Sequence, residues 1–418
     1  MLKQKIVGSI DYAQSLLKID LKYYLKSGFW ISLSNFWTLG TQLLTSLAYA
    51  NFLPVYVFGI YKYITSTSAI LSTLTLTGMN TAVTQAVANG KEGTFKKSIK
   101  YQIKWNLLYL TGALSLGLYY LIMHNVSLGA AFIILGIIQP VSFVGNTYIA
   151  YLHGLKNFRK FSEYTIITVS FTTLATIASA YYFHDIILLL VANFGTTMIF
   201  NVFWIYKCLK KVKNNEEDRE AFKYGRHLSY ANVLSTIASY ADYILVYHLL
   251  GPEQLAIYAF AILLPDTLRG ITKNISQAAM PRLASADTRQ YIGSMFKKSL
   301  ILLIFIVALV LVYIMSATYI IDIFFPKYIQ MVTLSKIYSI TLLASVNIIP
   351  ITLMLAKKKT EQVFKYTILG SIVQLISIIV LIPLYGLMGA VYAKILTHAV
   401  NLITSYVIVY SKRRSYEY

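Results

Sequence analysis

SLILLIFIVALVLVYIMSATYII, residues 299–321, runs for 23 positions without a charged side chain. A helix rises about 1.5 Å per residue, so a run of this length crosses the roughly 30 Å hydrocarbon core of a bilayer. Eleven further apolar runs flank it, at residues 28–52, 57–88, 105–123, 128–152, 164–182, 186–206, 226–250, 255–280, 331–355, 363–382 and 389–410. Twelve spans at about 20 residues each take up roughly 240 positions. That leaves a chain of 418 residues only short connectors and no room for an extramembrane domain. Composition agrees, with 57% hydrophobic and 13% charged residues, about half the charged share of a soluble domain, and a mean hydropathy of +0.61. These values argue against a soluble enzyme. The expected fold class is all-α, a polytopic membrane protein of 12 transmembrane helices.

Lys and Arg number 37 against 16 Asp and Glu, a formal net charge of +21. In a soluble chain such an excess would raise the question of nucleic acid; here its distribution assigns it to a membrane. Of the 37 cations, 31 fall in alternate connectors and tails: five before Ser27, five at 91–104, three at 156–160, seven at 207–226, four at 282–298, four at 357–365 and three at 412–414. The intervening connectors are almost free of them, Lys327 being the clear case. This positive-inside asymmetry predicts two cytoplasmic termini and no nucleic-acid partner. The single Cys208 precludes an intrachain disulfide framework. Residues 1–26 lack the continuous apolar stretch of a signal peptide. Instead Leu2, Ile6, Ile10, Ala13, Leu17, Leu21 and Leu25 recur at helical spacing with Lys18, Lys22 and Lys26 on another face. An amphipathic helix on the inner leaflet is expected there.

The longest polar stretch, residues 207–224, holds Glu216, Glu217, Asp218 and Glu220 among its lysines and divides the chain near its middle. The expected organisation is an amphipathic helix at 1–26, an N-terminal six-helix lobe at 27–206, a cytoplasmic linker at 207–225, a C-terminal six-helix lobe at 226–410 and a cytoplasmic tail at 411–418. A shift of 197 positions aligns Lys26 with Lys223, Gly28 with Gly225, Ser32 with Ser229, Asn35 with Asn232, Leu53 with Leu250, Ile60 with Ile257 and Tyr61 with Tyr258. The matches follow the first two helices of each half. Six spans per half return the second copy to the side on which the first began, so the repeat is parallel and favours a central cavity between two lobes.

Three stretches resemble the polysaccharide exporter, or O-antigen flippase, family of the multidrug/oligosaccharidyl-lipid/polysaccharide exporter superfamily. They are DYILVYHLLGPEQLAIY at 242–258, YLHGLKNFRKF at 151–161 and IPLYGLMGA at 382–390. Their order and spacing, with twelve spans, extend the resemblance over essentially the whole chain. One departure is LPVYVFGIY at 53–61, which lacks the Gly-Pro-Glu of its second-half counterpart. The resemblance implies two six-helix bundles with alternating access, in the cytoplasmic (inner) membrane of a bacterium. The implied function is transport of a polyprenyl (undecaprenyl)-pyrophosphate-linked oligosaccharide from the inner to the outer leaflet, as in O-antigen and lipopolysaccharide biosynthesis. Membrane lipids and the polysaccharide polymerase machinery are its expected partners.

No P-loop, His-Glu-x-x-His or CxxC motif is present. A transporter drawing on a proton or sodium gradient or on the membrane potential, without a cofactor, is therefore expected rather than an enzyme or an ATP-driven pump. Six cations remain outside the basic connectors: Lys62, Arg269, Lys273, Lys327, Lys336 and Lys394. Charges within a bilayer are costly, so they should face a bundle interior or a wet cavity. Asp266, Arg269 and Lys273 follow at steps of three and four, on one side of a helix just after Pro265. Arg binds phosphate oxygens bidentately and Lys supplies a point charge, which assigns Arg269 and Lys273 to a pyrophosphate. The alternative is that Asp266 and Arg269 neutralise each other.

Asp242 has two readings as well, ion coupling or a structural salt bridge to a neighbouring helix. Lys62, Lys336 and Lys394 lie one to two turns inside an outer span end, where they either snorkel to the interface or converge into a cationic vestibule that adds Lys62 and Lys394 to the pyrophosphate set. Asn35 and Asn232 suit either interhelical hydrogen bonding or sugar recognition. Two functions compete with glycan flipping: an ion-coupled multidrug antiporter of the same superfamily, whose cavity should be acidic, and a peptidoglycan-precursor flippase, which usually carries extra C-terminal helices. A membrane-embedded glycan polymerase or ligase is disfavoured because no outer connector is long enough for its large loop.

Overall fold

A computed structural model describes residues 21–285, 288–357 and 359–411, with side chains described for all of these but 21–27 and 271–290. Most of the expected amphipathic helix at 1–26, and tail residues 412–418, lie outside the described residues. Every regular element among the described residues is helical. The first half runs α1 (Leu21–Phe52), α2 (Val55–Leu71), a short 3-10 turn, α3 (Met79–Ala88), α4 (Gly93–Ile122), α5 (Val126–Gly145), α6 (Tyr148–Gly154), α7 (Phe158–Tyr182), α8 (Ile186–Leu190), a π turn at Val191–Gly195, and α9 (Thr196–Leu209). The second runs α10 (Arg219–Leu250), α11 (Pro252–Ser285), α12 (Thr288–Phe324), α13 (Met331–Tyr338), a 3-10 stretch at Ser339–Asn347, α14 (Ile348–Ala356) and α15 (Thr360–Ser411).

The described helices, taken singly or joined across a local break, coincide with all twelve expected spans. Eight are long and apolar enough to cross a membrane by length and composition alone, and the last of these, α15, has length for two passes. Its break falls at Gly386 (φ 57°, ψ −134°), three residues after Pro383. Pro383 lacks the N–H of a helical hydrogen bond, and only glycine adopts that backbone conformation without strain. α11, by contrast, continues through Pro265. In α12 the side chains of Ile301, Ile304, Phe305, Val312 and Met315 are 60–77% exposed. Leaving each in water would forfeit roughly 1.5–3 kcal/mol, so this face belongs against lipid. The chain is a multi-pass membrane protein.

Contacts divide the described chain into two compact units. The first comprises residues 21–46, Leu74–Tyr182 and Ile187–Leu228; the second comprises Leu47–Thr73, Phe183–Ile186 and residues 229–411. In the first, Met79, Val83, Phe95, Tyr148, Tyr151 and Trp204 form a buried core. Its polar end is closed by the segment between α9 and α10. Glu92, 6% exposed, accepts from Tyr151 Oη at 2.9 Å and from the Lys213 N–H at 3.0 Å. The Glu92 N–H donates to Asn214 Oδ1 at 3.1 Å, the Asp218 N–H donates to Thr94 Oγ1 at 2.7 Å, and Lys91 pairs with Asp218 at 3.2 Å. In the second unit Ile306, Val310, Leu342 and Val346 form one apolar cluster. There α2 packs on α11 through Phe58 stacked on Phe260, ring centroids 4.2 Å apart, and on α10 through Tyr63 stacked on Tyr247 at 4.0 Å.

Candidate anion-binding site

Four helices of the second unit bring five charges into one cluster: α2 brings Lys62, α10 brings Asp242, α11 brings Asp266 and Arg269, and α15 brings Lys394. Local sequence sets each position. Gly59, one turn before Lys62, lets α2 come so close to the first turn of α11 that a β-carbon there would collide with the Pro252 carbonyl. The chain reverses between α10 and α11 at Gly251 (φ 92°), with Pro252 opening the new helix. That reversal brings the first and last residues of the 242–258 motif together. Tyr258 Oη donates to Asp242 Oδ2 at 2.6 Å.

Asp242 is fully buried. Its Oδ2 also takes Lys394 Nζ at 3.0 Å, and Lys394 is itself only 12% exposed along its side chain. Asp242 Oδ1 has no hydrogen-bond partner among the described residues. The second pair is more open. Arg269 Nη1 donates to Asp266 Oδ1 at 3.2 Å, with side-chain exposures of 23% and 43%, and Tyr338 Oη donates to the same oxygen at 2.8 Å. Arg269 Nη1 also lies 2.8 Å from His398 Nε2. A guanidinium has no lone pair, so His398 Nε2 is the acceptor and its proton sits on Nδ1. Lys62 Nζ stands 4.8 Å from the centre of the Tyr243 ring, in cation–π range, and within electrostatic reach of both Asp242 and Asp266. Three cations and two carboxylates leave the cluster one positive charge in excess, and Lys62 is the cation without a carboxylate in direct contact.

The remaining sequence candidates fall elsewhere. Lys273 lies one turn past Arg269 on α11, and its side chain is outside the described residues. Lys327 Nζ donates to the carbonyls of Asn51 and Leu53 at 2.6 and 3.3 Å, capping the C-terminal end of α1. Lys336, half-buried on α13, makes no ion pair among the described residues. Asn35 is half-buried in α1 and Asn232 exposed in α10, and neither side chain finds a hydrogen-bond partner among the described residues. Nor do three His, Cys, Asp or Glu side chains gather there to hold a metal ion. Tyr338, Tyr243 and His398 belong to the cluster with no signal read for them in the sequence, and Tyr258 enters there only as a repeat match and the last residue of a motif. His398 had a usable signal, since its step of four from Lys394 puts both on one helix face.

The solved structure of the lipid II flippase MurJ, in an inward closed conformation, matches with a TM-score of 0.70 at 13% identity, over 91% of this chain and 87% of that one. An inward-facing multidrug resistance MATE family transporter of the MOP superfamily matches with a TM-score of 0.64 at 12% identity, over 91% and 95%. A MOP superfamily transporter from Pyrococcus furiosus, described as having a binding pocket of reversed polarity, gives 0.58 at 12% identity, over 95% and 96%. These likenesses establish the fold. No curated protein sequence matches the chain. Residues 24–287, more than half of it, match the family described as Polysaccharide biosynthesis protein, and it is to this family that the chain belongs.

Proposed function

We propose that this protein is a flippase that carries a polyprenyl-pyrophosphate-linked oligosaccharide, an O-antigen or similar repeat unit, from the inner to the outer leaflet of a bacterial cytoplasmic membrane by alternating access. The reading rests on family membership and, above all, on the excess cation in the second unit. A pyrophosphate is multiply anionic, and Arg269 with its forked donors, beside the point charge of Lys62, matches it chemically, with Lys273 one turn further along α11. The two carboxylates differ in how readily they yield. Asp242 is sealed from solvent, whereas Asp266 is 43% exposed. A phosphate oxygen therefore competes with Asp266 for Arg269 while the Asp242–Lys394 pair stays closed. A cluster of net positive charge is unsuited to cationic drugs, which disfavours the antiporter reading.

The test is translocation of a labelled undecaprenyl-pyrophosphate oligosaccharide in proteoliposomes, with insertion verified for each variant. Wild type should transport, and Lys62→Ala and Arg269→Ala should each lose at least about tenfold, the scale of one charge-assisted contact. Transport untouched by both substitutions would remove the site. Efflux of a cationic dye without glycan transport would move the protein to the antiporter class, and preference for a peptidoglycan precursor would move it to that flippase class. Collapsing the proton gradient, the sodium gradient or the membrane potential in turn identifies the driving ion.

A further inference from the structure

Within the first unit, α5, α6, α7, the π turn and α9 line an open cleft of about 410 Å³ whose lining differs in kind from the charged cluster. No charged residue lines it among the described residues. Its polar groups are amides and hydroxyls, and its apolar walls include Phe143, Tyr148 and Phe194. The amides of Gln139, Asn146 and Asn193 all lie on this lining, and none of the three side chains has a hydrogen-bond partner among the described residues, although Gln139 is only 7% exposed. Asn146 and Asn193 are half-buried, so their amides stay open to the cleft instead of being sealed in the packing. Three such amides at one cleft are not a packing device. The π turn that supplies Asn193 is itself an interruption of regular helix, of the sort that recurs at functional sites.

The lining selects its ligand by exclusion and by match. A phosphate would find no cation and a drug cation no carboxylate. A sugar ring suits it: each hydroxyl both donates and accepts, as each amide does, and the apolar face of the ring lies against an aromatic side chain. We infer that this pocket receives one uncharged hexopyranose of the lipid-linked glycan. The inference rests on the flippase reading.

Trp204 supplies the readout, because its indole N–H donates at 2.8 Å to Oγ1 of Thr168, a lining residue. Full-length protein carrying Trp30→Phe, Trp37→Phe and Trp105→Phe is titrated in detergent with undecaprenyl pyrophosphate, with the same lipid bearing glucose or N-acetylglucosamine, and with each free sugar. Binding is read from Trp204 fluorescence and from retention of radiolabelled lipid. At least one glycosylated lipid should bind about tenfold more tightly than the bare lipid, the equivalent of one or two hydrogen bonds. Asn146→Leu and Asn193→Leu should cut that margin below about threefold while leaving bare-lipid binding unchanged, which also certifies their folding. Gln139→Met, close in shape, should act in the same direction.

A margin absent for both sugars, or surviving in the amide variants, would overturn the pocket assignment. Free sugar binding as tightly as its lipid-linked form would overturn the lipid-linked source. Failure of bare undecaprenyl pyrophosphate to bind at all would count instead against the function proposed for the second unit.

Discussion

A carboxylate with no exposure inside a membrane bundle needs a counter-charge and hydrogen-bond donors of its own, and Asp242 has Lys394 at 3.0 Å and the Tyr258 hydroxyl at 2.6 Å on one oxygen. Removing one partner of such a pair strands the other charge, at a cost of about 3–5 kcal/mol, whereas removing both leaves a neutral core. Asp242→Asn should therefore lower the thermal midpoint in detergent and the membrane abundance. Asp242→Asn combined with Lys394→Met should recover most of the loss. If Asp242 couples an ion instead, the double variant regains stability but not gradient-driven transport, so the two assays together separate the roles. At this scale sequence legibility was uneven. Asp266 and Arg269 are three residues apart and could be paired by helix geometry, but Asp242 and Lys394 are separated by the whole second half and nothing local announces their meeting. Tyr258 lies in the same motif as Asp242, but a spacing of sixteen residues gives no local sign that its hydroxyl donates to that carboxylate.

Elements were more legible than sites because the bilayer imposes length and polarity on every span, and all twelve apolar runs emerge as helices. Their interruptions were not legible. The π turn at Val191–Gly195 and the 3-10 stretch at Ser339–Asn347 shift the backbone hydrogen-bond register with no change in composition. Proline did not settle the matter either, since α11 continues through Pro265 while α15 breaks near Pro383. What distinguishes the second case is Gly386, held at φ 57°, ψ −134°. Gly386→Ala forces a β-carbon into that conformation and should destabilise by about 1–3 kcal/mol. Gly40→Ala, in α1 with no atom within 4 Å of the added carbon, should be neutral or stabilise by up to about 1 kcal/mol. Thermal unfolding of the two variants side by side checks the difference. Equal midpoints would mean that the break at Gly386 tolerates an ordinary residue.

On the scale of the molecule, two halves are joined by residues 210–218, which belong to no helix. Read from composition, such a basic and acidic stretch is a solvated tether; its hydrogen bonds make it a strap fixed to the first unit. Glu92 is the centre, since one carboxylate oxygen takes both the Tyr151 hydroxyl and the Lys213 N–H. Asn214 Nδ2 donates to the Gly90 carbonyl at 2.8 Å and Lys96 Nζ to Asn215 Oδ1 at 3.0 Å, while Lys97 pairs with Glu217. Gly93 packs so tightly on the Asn215 backbone that a β-carbon would not fit. Trypsin needs several residues of extended, released backbone around its target lysine, and a strap bonded through Lys213, Asn214 and Asp218 withholds them. Glu92→Ala removes the acceptor for two donors at once and should raise local opening of the strap by about 1–3 kcal/mol. In native detergent micelles, tryptic cleavage after Lys210, Lys211 and Lys213 should then accelerate at least about fivefold, with the global thermal midpoint shifting little. Lys97→Ala breaks only a partly exposed pair, whose worth is at most about 1 kcal/mol, and should change the rate far less. Equal cleavage of wild type and Glu92→Ala would mean that the strap opens freely without losing Glu92, and that the halves are joined by a tether after all.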